Sequence, residues 1–372
     1  MKILGIETSC DETAVAVVEV KGGEIRVLSN IVSSQVKLHA KFGGIVPNLA
    51  AREHVKNIEH VFKLALKEAE IKDFNKGVDL VAVTRGPGLG PSLLVGIAFT
   101  RTLAWKYDKP LMGVNHLEGH IYSNWLKPVG ATYNLQPTTY NFPILNLIVS
   151  GGHTELVLME DHGKYKVIGE TLDDAAGEAF DKVARLLELG YPGGPAISKA
   201  AEKGNPNAYP LPSPMIRTKN YNFSYSGLKT AVLYLLRDLN VRKPSSKMTA
   251  DIAASFQNAA LDVLVYKTVK AAQEYSVKSI FLSGGVSANS ELRKRMETEV
   301  NKLKTRYSQP QLEYTGDNAA MIAIAGYFNY MNMKKPPSHP PLLGTSEGHS
   351  KASEVKVKTD WQSVKMDANL SF

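Results

Sequence analysis

His116 and His120 lie four positions apart in His116-Leu117-Glu118-Gly119-His120. A helix turns once in about 3.6 residues, so both imidazoles would leave one helical face and could share a divalent cation. The zinc-protease pattern is absent, because it needs Glu directly after the first His and Leu117 stands there. Two histidines alone read equally as ordinary polar helix residues. Asp317, in Gly316-Asp317-Asn318-Ala319-Ala320-Met321, is the candidate third ligand, though an Asp just before an apolar helix also reads as its cap. A His-His-Asp set with open positions suits zinc or ferrous iron.

Glycine turns form a second set. Ser150-Gly151-Gly152 and Ser283-Gly284-Gly285 each follow an apolar strand-like run, and turns without side chains let backbone N–H groups approach an anion. The Gly86–Gly90 loop is a third such turn, for which structural turn chemistry is an equal explanation. In 173–182 several acids begin an otherwise apolar helix. Asp173 and Asp174 fit the helix dipole, whereas Asp181 lies deeper and could accept bonds from a ribose diol. Tyr191-Pro192-Gly193-Gly194-Pro195 is a rigid turn able to pass a flat ring. The stretch 221–230 mixes aromatics, hydroxyls and Lys229, and reads either as a nucleic-acid contact or as a polar loop before a helix.

Positioning these groups requires a particular set of elements. Residues 3–6 and 14–20 read as strands around the polar turn 7–13, a hairpin signature. Apolar spacing predicts a helix over 50–70, a strand over 78–83, and a helix over 91–106 with Pro91 in its first turn. The second half repeats the plan: strands at 143–149 and 155–159, helices at 174–188 and 249–274, a strand at 277–282, a helix after Ala288, and another at 319–330. Tandem modules of this kind predict duplicated α/β domains facing across a cleft, with ligands at the carboxyl ends of strands. The expected division is an N-terminal α/β domain over 1–125, a C-terminal α/β domain over 126–335, and a polar tail over 336–372, with 126–142 as a surface loop at the junction.

The 372 residues suffice for about two domains. A hydrophobic fraction of 44% and a charged fraction of 22% exclude a disordered chain, a collagen and a small disulfide scaffold. Cys10 is the single cysteine, so no internal disulfide forms and a cytoplasmic home is expected. No apolar run approaches the ~20 residues of a membrane span, and no basic, serine-rich leader precedes the first strand. The formal charge of +8 favours polyanionic partners.

Across residues 2–330 these motifs, in order, resemble the tRNA N6-adenosine threonylcarbamoyltransferase family, whose members were formerly called O-sialoglycoprotein endopeptidases. The resemblance rests on 5–13, His116/His120, Val149 to Thr154, Asp174 to Lys182, Tyr191 to Pro195, Phe223 to Thr230, Ser283 to Asn289 and Asp317 to Met321. It implies the fold shared by actin, sugar kinases and heat-shock chaperones, with two α/β domains around a nucleotide cleft. It further implies transfer of threonylcarbamoyl from threonylcarbamoyl-AMP to N6 of the adenosine 3′ of the anticodon, in tRNAs reading ANN codons, with release of AMP. His116, His120 and Asp317 would hold one divalent metal per subunit, Fe2+ ahead of Zn2+. Ile148, Val149, Ser150, Gly151 and Gly152 would line the donor, Asp181 would grip its ribose, Gly194 would lie beneath the nucleoside and Asn289 on the adenylate. No residue is assigned as a dedicated general base.

Ile148 and His153 flank the Ser-Gly-Gly turn as in bacterial-type members, while Ser198 departs from an acidic residue that many members carry. The bacterial type implies a smaller paralogous subunit and a P-loop ATPase as partners. A small-molecule carbamoyltransferase or an ATP-dependent kinase of the same fold is the alternative. A metalloprotease lacks its general base, and a non-catalytic scaffold would not need the metal set.

Overall fold

The computed structural model describes residues 1–134, 140–240, 244–334 and 361–372. The first half holds β1 (Lys2–Glu7), β2 (Glu12–Lys21), β3 (Glu24–Ser34), α1 (Val36–His39), α2 (Pro47–Glu68), α3 (Phe74–Gly77), β4 (Leu80–Gly86), α4 (Gly90–Tyr107), β5 (Leu111–Asn115), α5 (His116–Tyr122) and β6 (Thr132–Asn134). The second half holds β7 (Ile144–Val149), β8 (Thr154–Asp161), β9 (Lys164–Glu170), α6 (Ala176–Leu186), α7 (Gly193–Ala201), α8 (Ser226–Asp238), α9 (Ser246–Glu274), β10 (Ser279–Ser283), α10 (Ser290–Leu303), β11 (Arg306–Ser308) and α11 (Ala319–Lys334).

Two sheets result, with orders β5-β4-β1-β2-β3-β6 and β11-β10-β7-β8-β9. In each, three antiparallel strands in meander are followed by two parallel ones. The second sheet therefore repeats the first, with β6 an added edge strand on β3. The repeat follows from the sequence pattern: apolar strands buried on both faces, joined first by tight turns and then by helical crossovers. The hairpin β1–β2, the strands β4, β7, β8 and β10 and the helices α2, α4, α6, α9, α10 and α11 appear where the sequence pattern puts them, whereas β3, β5, β9, β11 and α7 add to it.

The cores are layered. One packs α2 and α4 on the outer face of the first sheet. Another packs α6, α7, α8, α9 and α10 on the outer face of the second. Between the sheets, α5 and α11 share a core with inward residues of both, including Ala16, Ala82, Ile148 and Phe281. α11 approaches unusually closely because its face is Ala and Gly. A Cβ on Gly5 of β1 would collide with the Ala319 carbonyl and lie 2.8 Å from the Ala323 nitrogen.

Several boundaries differ from the sequence expectation. α11 falls within 126–335 yet packs on the first sheet, because its small-residue face matches β1. Part of the 126–142 stretch is built into the structure: Leu126 is buried, β6 pairs with β3, and Tyr140 stacks edge-on against Phe281. Residues 135–139 lie outside the described residues, as do 335–360 of the expected tail. Residues 361–372 pack on the first half, with Val364 in its core.

Candidate metal centre and donor cleft

α5 begins directly at the end of β5. Its cap is Asn115, whose side-chain oxygen accepts from the Leu117 N–H at 2.8 Å, and the first residue after that cap is His116. The helix is wholly buried, which forces both imidazoles into protein surroundings. α11 supplies the opposite side. There Asn318, not Asp317, caps the helix, accepting from the Met321 N–H at 3.0 Å. Asp317 is thereby free to point toward α5.

The three side chains meet. His116 Nε2 and His120 Nε2 each lie 3.4 Å from Asp317 Oδ1, and one ligand atom from each residue lies within 4.8 Å of the others. Both ring nitrogens of His120 are buried without a hydrogen bond. Leaving buried ring nitrogens unpaired is costly, and a cation on His120 Nε2, the nitrogen that faces Asp317, would give that atom a partner. The residues therefore fit a divalent cation: two neutral-capable imidazoles and one carboxylate, with room for further ligands.

A residue the sequence reading passed over supports the set. Glu7, buried at the end of β1, accepts from the Ser9 N–H and, at 2.6 Å, from Thr84 Oγ1. Its Oε2 is 3.0 Å from His116 Nδ1, and Ser9 Oγ is 3.2 Å from the same nitrogen. A carboxylate on the far imidazole nitrogen fixes the tautomer that presents the other nitrogen to a metal. The available signal was an acid closing an otherwise apolar strand.

Electrostatics agree. Burial opposes the charged form of His116, but Asp317 and Glu7 outweigh it and raise its pKa well above the usual histidine value. Burial lowers the pKa of His120. Burial alone would raise Asp317, yet His116 and His120 hold it well below the usual carboxylate range. His153 is pushed down to about 4, first by burial and then by the charges of His116 and His120.

The predicted donor residues occupy one end of the second sheet. Ile148 and Val149 are fully buried, pointing into opposite cores, so only their backbone is available to a ligand. The turn closes through Ser150 N–H to the His153 carbonyl at 2.8 Å, leaving Gly151 and Gly152 exposed. Gly284 packs on this turn with φ of 88°, where a Cβ would strike the Val149 carbonyl; only glycine suits both demands.

Asp181 Oδ1 accepts from the Gly193 N–H at 2.7 Å, at the start of α7. Burial raises its pKa in spite of that bond. Asn289 caps α10 by accepting from the Leu292 N–H, and its amide donates to Ser198 Oγ at 2.9 Å and Gln257 Oε1 at 2.8 Å. Ser198 Oγ in turn donates to the Gly194 carbonyl at 3.0 Å. Ser198, left unassigned from sequence, thus ties Gly194 to Asn289.

Two motifs resolve into structural roles. Asp173 accepts from Ser224 Oγ, Tyr225 N–H, Ser226 N–H and Ser226 Oγ at 2.6–3.2 Å, which holds the 221–230 stretch as the lead-in to α8. In the Gly86–Gly90 loop the Gly88 N–H donates to the Ala368 carbonyl and the Leu89 N–H to the Ser9 carbonyl, bonds of a structural turn.

Two solved structures of HypF superpose on this fold with a TM-score of 0.55 at 15% and 13% identity, covering 89% and 90% of this chain. The chain spans about half of each of those proteins (48% and 47%), and the likeness shows the fold alone: the duplicated α/β architecture of actin, sugar kinases and heat-shock chaperones. Sequence relatives are nearer. A protein of Thermomicrobium roseum named tRNA N6-adenosine threonylcarbamoyltransferase is 52% identical over 347 residues, 88% of this chain and 92% of the relative. One of Bacillus subtilis with the same name is 49% identical over 327 residues, 88% of this chain and 90% of the relative. The family described as TsaD, tRNA N6-adenosine threonylcarbamoyltransferase, matches residues 26–324, and with the paired histidines and Asp317 brought together inside that span, the chain belongs to the tRNA N6-adenosine threonylcarbamoyltransferases, enzymes of tRNA modification.

Proposed function

We propose that the chain transfers a threonylcarbamoyl group from threonylcarbamoyl-AMP to N6 of the adenosine 3′ of the anticodon in tRNAs reading ANN codons. The observation that carries this reading is the meeting of His116, His120 and Asp317 within the span matched by the family. In the transfer, N6 attacks the carbamoyl carbon, the bond from that carbon to the phosphate oxygen breaks, AMP leaves with that electron pair, and N6 gives up one proton to the departing phosphate or to solvent. The donor is a mixed anhydride and already activated, so no covalent enzyme intermediate is needed, and positioning with charge stabilisation suffices.

The N–H groups of the Gly151–Gly152 turn would orient the donor's anionic part. Asp181 would accept from a ribose hydroxyl beside its bond from the Gly193 N–H. Gly194, whose missing side chain leaves open space, would lie under the nucleoside, and Asn289 on the adenylate. When bound to His116, His120 and Asp317, a divalent cation, Fe2+ ahead of Zn2+, supplies Lewis acidity toward a donor oxygen. The neutral His153 imidazole is available near the centre, but no dedicated base is required.

A smaller paralogous subunit and a P-loop ATPase are the expected partners. The cytoplasm is the expected location, on the grounds of the single cysteine and the tRNA substrate; among the described residues, no helix is long and apolar enough to cross a membrane. The kinase and small-molecule carbamoyltransferase alternatives are not favoured by relatives of this identity.

The test mixes purified protein, its partners, threonylcarbamoyl-AMP and unmodified tRNA, and looks for the modified nucleoside by mass spectrometry. Formation that disappears in His120→Ala together with the bound metal is expected. Full transfer by a metal-free His120→Ala protein would refute the metal's part, and no transfer by the intact protein would refute the whole reading.

A further inference from the structure

Residues 361–372 lie beyond the span matched by the family, yet they are built into the first half of the molecule. Val364 is 6% exposed and packs against Gly113 of β5, with its γ-carbon 3.0 Å from where a Cβ would sit. Arg101 of α4 donates to the carbonyls of Gln362 and Val364. The Asp367 N–H donates to the Arg85 carbonyl at 2.8 Å, and the Gly88 N–H donates to the Ala368 carbonyl at 3.2 Å. Gly86 has φ of 153°, and a Cβ there would collide with the Asp367 carbonyl. The glycine loop thus forms a groove fitted to this segment's backbone.

The segment then reaches the helix that carries the paired histidines, by separate routes. The Ser371 carbonyl accepts from Asn115 Nδ2 at 3.2 Å, while the other side-chain atom of Asn115 caps α5 immediately before His116. The Phe372 ring lies 4.9 Å from that of Tyr165, at 49°. The Tyr165 hydroxyl donates to Glu118 Oε1 at 2.8 Å, between the two histidines. On the opposite side of the glycine loop, Gly88 is pressed against Ser9, whose hydroxyl touches His116 Nδ1.

We propose that residues 361–372 are a positioning strap for the metal centre, holding α5 through Asn115 at its cap and through Tyr165 and Glu118 at its middle. This rests on the reading of His116, His120 and Asp317 as a metal site. Partners bonded directly to metal ligands commonly control 10–100-fold in affinity by orienting them; the strap acts one contact further out, on the helix that carries them, at the lower end of that range. The strap residues touch no ligand themselves, so they act on how tightly the centre binds and not on its chemistry.

The test measures Zn2+ affinity by competition with a chromogenic chelator, alongside the melting temperature of the metal-free protein. Asn115→Ser keeps an oxygen for the Leu117 N–H and removes the donor to Ser371. Phe372→Ala removes the ring from Tyr165. Each is expected to weaken Zn2+ binding about tenfold, with the metal-free melting temperature held within about 2 °C. A chain ending at residue 360 is expected to weaken it further; if it fails to fold, the point variants decide. Variants that bind Zn2+ as tightly as the full chain overturn the strap, as does weakening that appears only where the melting temperature falls in step. Full-length protein that binds no Zn2+ overturns the metal reading and the strap together, whereas binding by the full chain matched by every variant overturns the strap alone.

Discussion

The Glu7 carboxylate is shared among the Ser9 N–H, Thr84 Oγ1 and His116 Nδ1. Such an acid both orients its imidazole and raises its basicity as a ligand. Glu7→Gln keeps the volume but turns an acceptor into an N–H2 that faces the Nδ1 proton. Zn2+ affinity in equilibrium dialysis should fall 10–100-fold; an unchanged affinity would show that Glu7 is only a turn residue. Glu155 offers a pH test elsewhere on the second sheet. Burial, and then Glu170 directly opposite on β9, push its pKa up to about 7. Below the free-glutamate value both folded and unfolded chains hold the proton, and nothing is lost. Between about 4.5 and 7 the unfolded chain ionises first, so stability falls, and above 7 the penalty is fully present. Glu155→Gln should therefore leave stability unchanged near pH 4 and raise it near pH 8 by on the order of 1 kcal/mol, discounting for partial solvation. Urea melts at the two pH values measure this, and equal effects at both would count against the raised pKa.

At the scale of elements, the centre depends on how near α11 comes to β1. The Ala and Gly face of α11 lets its backbone sit directly against Gly5 of β1. Gly5→Ala would push the Ala319 carbonyl outward, and with it Asp317 two residues earlier. A cost of about 2–3 kcal/mol in chemical denaturation is expected, with a loss of metal affinity in the folded protein. If stability falls but affinity holds, Asp317 is positioned by its own loop and not by the helix seat. The cap at Asn318 belongs to the same argument. By taking the Met321 N–H, it frees the carboxylate beside it, a division of labour between adjacent residues that composition does not reveal.

For the whole molecule, the duplicated sheets enclose α5 and α11 in a shared central core, so His116, His120 and Asp317 stand at the seam between halves. Asn124, one turn past His120, donates to Ser283 Oγ at 2.9 Å at the glycine turn of the second sheet. The two halves are therefore linked one turn past His120. The surplus of +8 bears on the acceptor. Binding that neutralises phosphates releases counterions, so unmodified tRNA should bind about tenfold or more weakly on going from roughly 50 to 200 mM salt. Filter binding across that series checks it; salt-independent binding would mean that the basic residues do not face the tRNA.

Much of this was readable from the chain itself. Period-2 and period-3.6 runs mark strands and helices because each element buries a stripe at its own repeat, and the spacing of His116 and His120 sets them on one turn without help from the rest of the fold. The doubled plan was likewise visible as two strings of the same local signals. What local pattern could not decide was which distant groups would touch. Asp317 reaches the histidines only because small side chains let α11 settle on β1. Glu7 became their support only when β1, β4 and α5 converged. Residues 361–372 carry Trp361, Val364, Met366, Leu370 and Phe372 without a helix or strand period, and acquired a place only when a groove lined by Gly86 and Gly88 existed to receive them. Those contacts are set by packing between elements far apart in the chain, and packing is a property of the assembled cores.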